Sequence, residues 1–566
     1  MSEISDIRRR LEDSMDRRRF DQSDEVDFVI IGSGTAGGTI ARELSMAGFS
    51  VVVMEQGPYI QMKEFVHDEL NTIYKQEWFG GWEGKSPQTF RRHESEIARP
   101  MDFLPPLIYG QMVGGSSVHM TANYWRFHES DFIERSMLGP ISGTGFQDWP
   151  ITYEDLEPYY TKVDWDVGVS GGVGPFDAPR TRGYPVPPMP IKSSGALLQA
   201  GARELGLHPH PAPMAILSKP HNGRAGCVHC GFCMLFGCEV GAKSSTLVAM
   251  IPEAEASGNC EIRAESTVFR VNTNTSGRVT DVLYWDRDGN EQSQKAKAVI
   301  MSANGAETAR LLLMSESEQF PNGLANSSGN VGKYLMFNGL SYAYGLFDEP
   351  LNEFKSIQVT RVIHDFYETD PKRGFYGGGG IDGRSFPGSP ILFAEMGLPS
   401  DVPTWGKGFK DALGQYYTRT LTLNGHTTSL PLASNSISLD PTVKDGHGRP
   451  AIRVTYNDHS DDISTMAFLQ DRSVEILEAA GASKIWRQPV GPTSIAAHLL
   501  GTARMGNDAR TSVVDRYHRA HDVPNLFICD GSSMVSSGRG QPTMTIQALA
   551  FRAAEHIASF ARNGEI

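Results

Sequence analysis

Long apolar runs are missing from this chain. No stretch reaches the ~18 consecutive apolar residues of a membrane-spanning helix. The first twenty residues carry arginines but no apolar core behind them, so they do not form a usable secretory signal. Taken alone this places the protein in the cytoplasm, or in the periplasm if a signal-bearing partner carries it out. Positive charge is in deficit: 52 Lys+Arg against 66 Asp+Glu give a net charge of -14. That argues against nucleic acid or an anionic membrane as the main partner. The arginine runs Arg8–Arg10 and Arg17–Arg19 read as a solvated helical end. Cysteine is scarce, six in 566 residues, and four of the six are clustered, which excludes a disulfide framework. Internal repeats and low-complexity tracts are absent. Present instead is 40% hydrophobic residues with a mean hydropathy of -0.31, the balance of a soluble globular protein with ample core. The length predicts one large domain or two to three ordinary ones.

The apolar run Val26–Ile31 suits a buried parallel strand. It leads into Gly32-Ser-Gly34-Thr-Ala-Gly37-Gly38, a helical pattern from Thr39 to about Ala47, and a second strand, Ser50–Met54, ending at Glu55. This βαβ unit of about thirty residues has the usual dinucleotide-binding size. Each part has a physical reason. Gly32 permits the tight turn, Gly34 lets the backbone approach a pyrophosphate, and Gly37 lets the helix pack on the sheet. The helix N-terminus turns its unpaired N–H groups toward the phosphates. Glu55 accepts hydrogen bonds from a ribose diol and repels an adenosine 2′-phosphate. The fingerprint does not by itself separate FAD from NAD.

Further along, residues 58–112 are irregular and 172–192 read as a long proline- and glycine-rich loop. Strands are expected at Thr267–Val271, Val279–Trp285 and Ala298–Met301, and short alternating runs fill 335–460. Asp445-Gly446-His447-Gly448-Arg449-Pro450 is turn chemistry, so a hairpin is expected there. The C-terminal part returns to a strand at Leu526–Cys529 and a helix from about Thr543 to Arg562. The fold class predicted is α/β: a Rossmann-like nucleotide-binding half assembled from separated segments, with a sheet-rich half inserted.

Several segments carry a resemblance: Gly32–Gly38; Gly114-Gly115-Ser116-Ser117 with Asn123; Asp148-Trp149-Pro150 with Tyr153, Pro158 and Tyr160; His498-Leu499-Leu500-Gly501 through Gly506; Asp530-Gly531-Ser532; and Pro542-Thr543. Together they make the chain similar to the glucose–methanol–choline (GMC) oxidoreductases over nearly its whole length. The resemblance implies FAD, and a histidine that takes the proton of a substrate hydroxyl while the carbon's hydride moves to the flavin. His498 matches that histidine, and a neutral imidazole suits the task. The second catalytic position is usually His or Asn; here it is Gln541, which can hydrogen-bond the substrate oxygen but cannot be a base. Cofactor contacts implied are Gly115, Ser116, Asn123, Val268 beside adenine, Asp530 at the ribityl chain, Gly531, Thr543 and His119. The last sits where some relatives attach flavin covalently. The resemblance divides the chain into an N-terminal extension (1–24), FAD-binding parts 25–135, 225–332 and 495–566, and substrate-binding parts 136–224 and 333–494.

Cys227, Cys230, Cys233 and Cys238 have the spacing C-x2-C-x2-C-x4-C, near the bacterial ferredoxin run but with a longer last gap and Glu239 in place of proline. The readings are an iron–sulfur cluster ([3Fe–4S] or [4Fe–4S]), free structural thiols, or zinc or a disulfide. Sugar dehydrogenase flavoproteins of the same family have a similar segment, which implies a cluster, a small partner subunit and a c-type cytochrome. With the run Trp125-Arg126-Phe127…Asp131-Phe132, the expectation is a dehydrogenase of a sugar or glycoside hydroxyl, favoured at C3 of glucosides. The alternatives are an oxidase of the same fold that makes peroxide, and a non-catalytic flavin electron-transfer module.

Overall fold

A computed structural model describes residues 17–74, 86–102, 104–353, 355–386 and 388–566. The helical end expected at Arg8–Arg10 lies outside the described residues. Strand β1 (Glu25–Ile31) sits mid-sheet, parallel to β2 (Val51–Met54) on one side and to Glu291–Met301 on the other. Cys260–Arg263 lies outside β2, and Leu526–Ile528 pairs with the end of Glu291–Met301, so five parallel strands come from three separated stretches. The first half of Glu291–Met301 also starts an antiparallel meander with Val279–Trp285 and Thr267–Thr273.

The continuous apolar character of β1 and β2 follows from burial on both faces. Phe28, Ile30, Val51 and Val53 point into one core, with α1 (Thr35–Met46) and the C-terminal helix Thr543–Arg562. Val29, Ile31, Val52 and Met54 point into the other. Helix α1 starts at Thr35, four residues earlier than its apolar pattern suggests, so Gly37 and Gly38 lie inside it. Their presence is steric: a Cβ on Gly37 would sit 1.9 Å from the Gly32 carbonyl oxygen.

The inserted half is a six-stranded antiparallel sheet in the order Lys484–Arg487, Leu340–Leu346, Thr420–Thr427, Gly379–Arg384, Arg361–Ile363, His210–Pro211. Helices Ser193–Glu204 and Ser460–Ala479 cover one face of it. The expected hairpin is present as Ser436–Lys444 and Pro450–Thr455; Gln88–Arg91, within a stretch read as irregular, adds a parallel strand to it. The Asp148–Tyr160 stretch does local work: Thr152 caps helix Tyr153–Val163 reciprocally with Asp155, and the Trp149 indole N–H donates to Ser536.

Candidate active site

The two glycine loops meet. Gly115 has φ +53, and a Cβ on it would stand 3.0 Å from the Gly34 Cα. A Cβ on Gly34 would meet nothing within 4 Å, because that face opens on a cavity. The cavity together with the open space at its mouth amounts to about 1250 Å³. Gly32, Gly34 and Glu55 line it, as do Gly115, Ser116, Val268, Asn304, His498, Asp530, Gly531 and Thr543. Helices α1 and Thr543–Arg562 both begin at this wall, bringing two N-termini to one space, the setting that accepts phosphates.

Both acids are fixed by donors. Glu55 accepts from the Ser33 hydroxyl (2.6 Å), the Ser33 N–H (3.1 Å) and the Gly57 N–H (3.0 Å). Asp530 accepts from Thr308 Oγ1 (2.6 Å), the Asn304 N–H (3.1 Å) and the Ser532 N–H (2.7 Å). Burial raises both carboxyls against the pull of these donors. Together these features fit a large dinucleotide: a bare glycine backbone beside two helix N-termini, and two buried acids among the lining.

His498 stands on the same wall. Its Nδ1 lies 2.9 Å from Asn338 Oδ1. The amide of Asn338 is oriented by two carbonyls, Thr427 and Ser537, which accept from its Nδ2 at 3.0 and 3.2 Å. Oδ1 must therefore accept, Nδ1 must carry the proton, and Nε2 keeps its lone pair. Burial, with His426 as a neighbouring ring, lowers His498 to about 4, so it is neutral at ordinary pH.

Gln541 is not a cavity wall residue. Its Nε2 donates to His426 Nδ1 (3.1 Å), whose Nε2–H donates to Asp382 (2.7 Å). Arg384 grips the same carboxylate through Nε (2.8 Å) and Nη2, and Asn123 Nδ2 donates to it at 2.9 Å. A single-histidine site was the expectation once Gln541 stood at the second position. The structure supplies a second histidine from the sheet, because Gly380 pairs with His426 and puts Asp382 and His426 on one face. His426, Asp382, Arg384 and Asn338 carried no spacing signal. They sit in ordinary strands or strand ends, in a region read only as short alternating runs.

His119 and Asn123 do not line the cavity either. Asn123 serves Asp382. His119 is buried behind the glycine loop, with Nδ1 3.1 Å from the Leu235 carbonyl and Nε2 3.2 Å from Met112 Sδ. Burial, then Lys243, lowers it to about 3. Its own carbonyl accepts from Leu235 N–H (3.0 Å), so it clasps the cysteine loop to the cavity wall.

The four cysteines of that loop are unbridged thiols, which removes the disulfide reading. A single tetrahedral zinc needs sulfurs about 3.8 Å apart. Among the described residues no three of these thiols gather within 4.8 Å, so a one-ion site is not formed. The Cys227 sulfur already accepts the His229 N–H (3.3 Å). Burial raises the Cys227 thiol to about 11 and Cys233 to about 12, so metal-free they stay protonated.

Comparison with known proteins agrees with this geometry. The N-terminal GMC oxidoreductase model matches residues 26–336 and the C-terminal GMC oxidoreductase model residues 431–550. The chain is 35% identical over 546 residues to 2-methyl-1,2-propanediol dehydrogenase of Mycolicibacterium austroafricanum, covering 94% of this chain and 95% of that one. It is 28% identical over 557 residues to the fructose dehydrogenase large subunit of Gluconobacter japonicus, covering 95% and 98%. Its backbone resembles Aspergillus oryzae formate oxidase with a TM-score of 0.68 at 16% identity, over 96% of this chain and all of that one, a likeness of fold. The chain belongs to the GMC oxidoreductases. It is an FAD oxidoreductase that acts on alcohol or sugar hydroxyls.

Proposed function

We propose that this protein is a dehydrogenase of a sugar or glycoside hydroxyl, with C3 of a glucoside the favoured position and a 3-keto sugar the product. The observation that carries the reading is His498, held neutral with its Nε2 lone pair bare beside the cavity. Nε2 takes the proton of the substrate hydroxyl, and Asn338 holds the ring in the tautomer that allows it. The Gln541 amide, set back from the cavity wall, spends an N–H on His426 and holds that ring in place. FAD bound in the cavity would accept the hydride from the substrate carbon. His498→Ala should lower kcat/KM by roughly 10²–10⁴-fold with flavin content unchanged. Turnover left intact would favour the non-catalytic electron-transfer reading instead.

The 2-methyl-1,2-propanediol dehydrogenase relative supports a second reading, a small aliphatic diol as donor. A panel of glucosides, free sugars and diols with a dye acceptor separates the two. Activity on diols and none on carbohydrate would overturn the first. Oxygen uptake with peroxide formation in the absence of dye would make the protein an oxidase.

Cys227, Cys230, Cys233 and Cys238 would hold a [3Fe–4S] or [4Fe–4S] cluster, whose chemistry is one-electron transfer. Their loop's docking on His119, directly behind the glycine loop of the cavity, supports that role. A small partner subunit and a c-type cytochrome would then take the electrons; the large-subunit relative supports a partner. Pure, active protein free of iron and EPR-silent would overturn the cluster. The engaged ring of His119 favours non-covalent flavin, tested by the mass of the denatured chain. The protein works in the cytoplasm, or in the periplasm if exported with that partner; cell fractionation decides.

A further inference from the structure

Away from the flavin cavity, at the outer edge of the six-stranded sheet, three side chains converge from segments far apart in sequence. Asp177 comes from the long loop after helix Tyr153–Val163, His210 from the two-residue edge strand, and His364 from the end of Arg361–Ile363. Both histidines are buried, 4% and 3% exposed. Asp177 Oδ1 lies 3.3 Å from His210 Nε2 and 3.5 Å from His364 Nδ1. Charge-assisted hydrogen bonds between such groups run at about 2.7–2.9 Å. Here the nitrogens fall short of bonding: His210 Nε2 and both ring nitrogens of His364 are buried without a hydrogen-bond partner. Buried polar atoms are almost always satisfied, so two unpartnered ring nitrogens, His210 Nε2 and His364 Nδ1, facing one carboxylate oxygen call for a missing ligand.

The chemistry of His210 sharpens the point. Its Nδ1 lies 3.5 Å from the His208 carbonyl, which accepts when that nitrogen carries the proton. In that tautomer Nε2 turns a lone pair toward the carboxylate oxygen 3.3 Å away, and a cation between them removes the repulsion. The distances suit one: nitrogen and oxygen ligands about 2.0–2.1 Å from a tetrahedral ion stand about 3.3–3.5 Å apart. The surroundings are fixed as metal ligands usually are. Asp177 spends Oδ2 on the Gly174 N–H (2.8 Å). His208, which backs His210, is tied to Asp365, beside His364, through Nδ1 (2.7 Å) and its N–H (3.2 Å).

We propose that Asp177, His210 and His364 form a two-histidine, one-carboxylate site for a divalent transition ion of the zinc type, separate from the flavin and the cysteine loop. Two imidazoles and one carboxylate leave a fourth position for water, and imidazole selects zinc-like ions over magnesium or calcium. The site clips a two-residue edge strand and a long loop to the sheet. Trp125 packs against His364 (4.5 Å) on one side and His426 (5.3 Å) on the other, so the clip also steadies the wall behind the active-site histidines.

Full-length, flavin-loaded protein purified with zinc and then dialysed is the material for the test. Elemental analysis should find about one zinc per chain, and zinc-edge X-ray absorption should show nitrogen and oxygen neighbours at about 2.0–2.1 Å and no sulfur. Zinc should raise the melting temperature of the chelated protein by several degrees. His364→Ala and Asp177→Asn should lose the zinc, whereas Cys227→Ser should keep it. Absence of retained zinc together with an unmoved melting temperature overturns the proposal. So do sulfur neighbours at about 2.3 Å, which would assign the ion to the cysteine loop. If the variants fail to fold, the absorption spectrum of the wild-type protein still decides.

Discussion

A histidine serves as a base only while one ring nitrogen is bare and the ring is neutral. Asn338 secures the first condition and burial the second. Asn338→Leu removes the acceptor for Nδ1–H and frees the tautomer. Its kcat should fall roughly ten- to a hundredfold with KM little changed, which steady-state kinetics would read. The pH dependence follows from the sign of the shift. His498 titrates near 4, below the ordinary histidine value near 6.5. Between those values the ring stays neutral in the fold and the base survives. Below about 4 it is protonated, so kcat/KM should be flat through mildly acidic pH and fall tenfold per unit under about 4. Across the same window the unfolded chain binds more protons than the native one. His119 and His518, each lowered to about 3 by burial, add to this, so stability declines as pH drops below about 6.5.

At the scale of elements, the cysteine loop is irregular, with His229, Gly231 and Leu235 at positive φ. Lys243 is its anchor. The buried ammonium donates to the carbonyls of Met120 (3.0 Å), Cys233 (2.7 Å) and Phe236 (2.7 Å). Lys243→Leu strands three carbonyls in a buried site and should cost about 3 kcal/mol. A thermal melt would show the loss, and faster reaction of the loop thiols with a maleimide would show where it falls. Should labelling stay as slow as in the wild type, the loop has another anchor.

Across the whole molecule, buried charge ties together segments far apart in sequence. Arg539, 1% exposed at its side chain, donates to Asp131 Oδ1 (3.1 Å), to both oxygens of Glu134 and to the Tyr367 carbonyl (2.9 Å). Arg126 does the same between Glu157 (3.0 Å) and Asp164 (2.7 Å). The Trp125–Phe132 run, read as a mark of sugar dehydrogenases, thus also builds the framework. Arg539→Met leaves two buried carboxylates without a counter-charge and should destabilise by about 3–5 kcal/mol. Calorimetry would detect it, with the flavin-bound protein melting earlier.

The nucleotide-binding half was legible in the sequence because its signals are local. Val26–Ile31 buries both faces of one strand, Gly32 and Gly37 answer clashes with neighbours a few residues away or across one strand, and Glu55 ends the next strand. His498, Asp530 and Thr543 were found by the family resemblance, and the structure sets them on the same cavity wall. What depended on strand register was invisible: His426 reaches the Asp382–Arg384 pair only because Gly380 pairs with His426. Asn338 reaches His498 across 160 residues, and Asp177 reaches His364 across a comparable distance. The amino-acid sequence by itself determined the cofactor fold, since hydrophobic period and glycine sterics act over short spans of chain. Only the tertiary structure decided which polar groups face the base and which buried nitrogens stand without partners, because those contacts arise from the docking of distant segments.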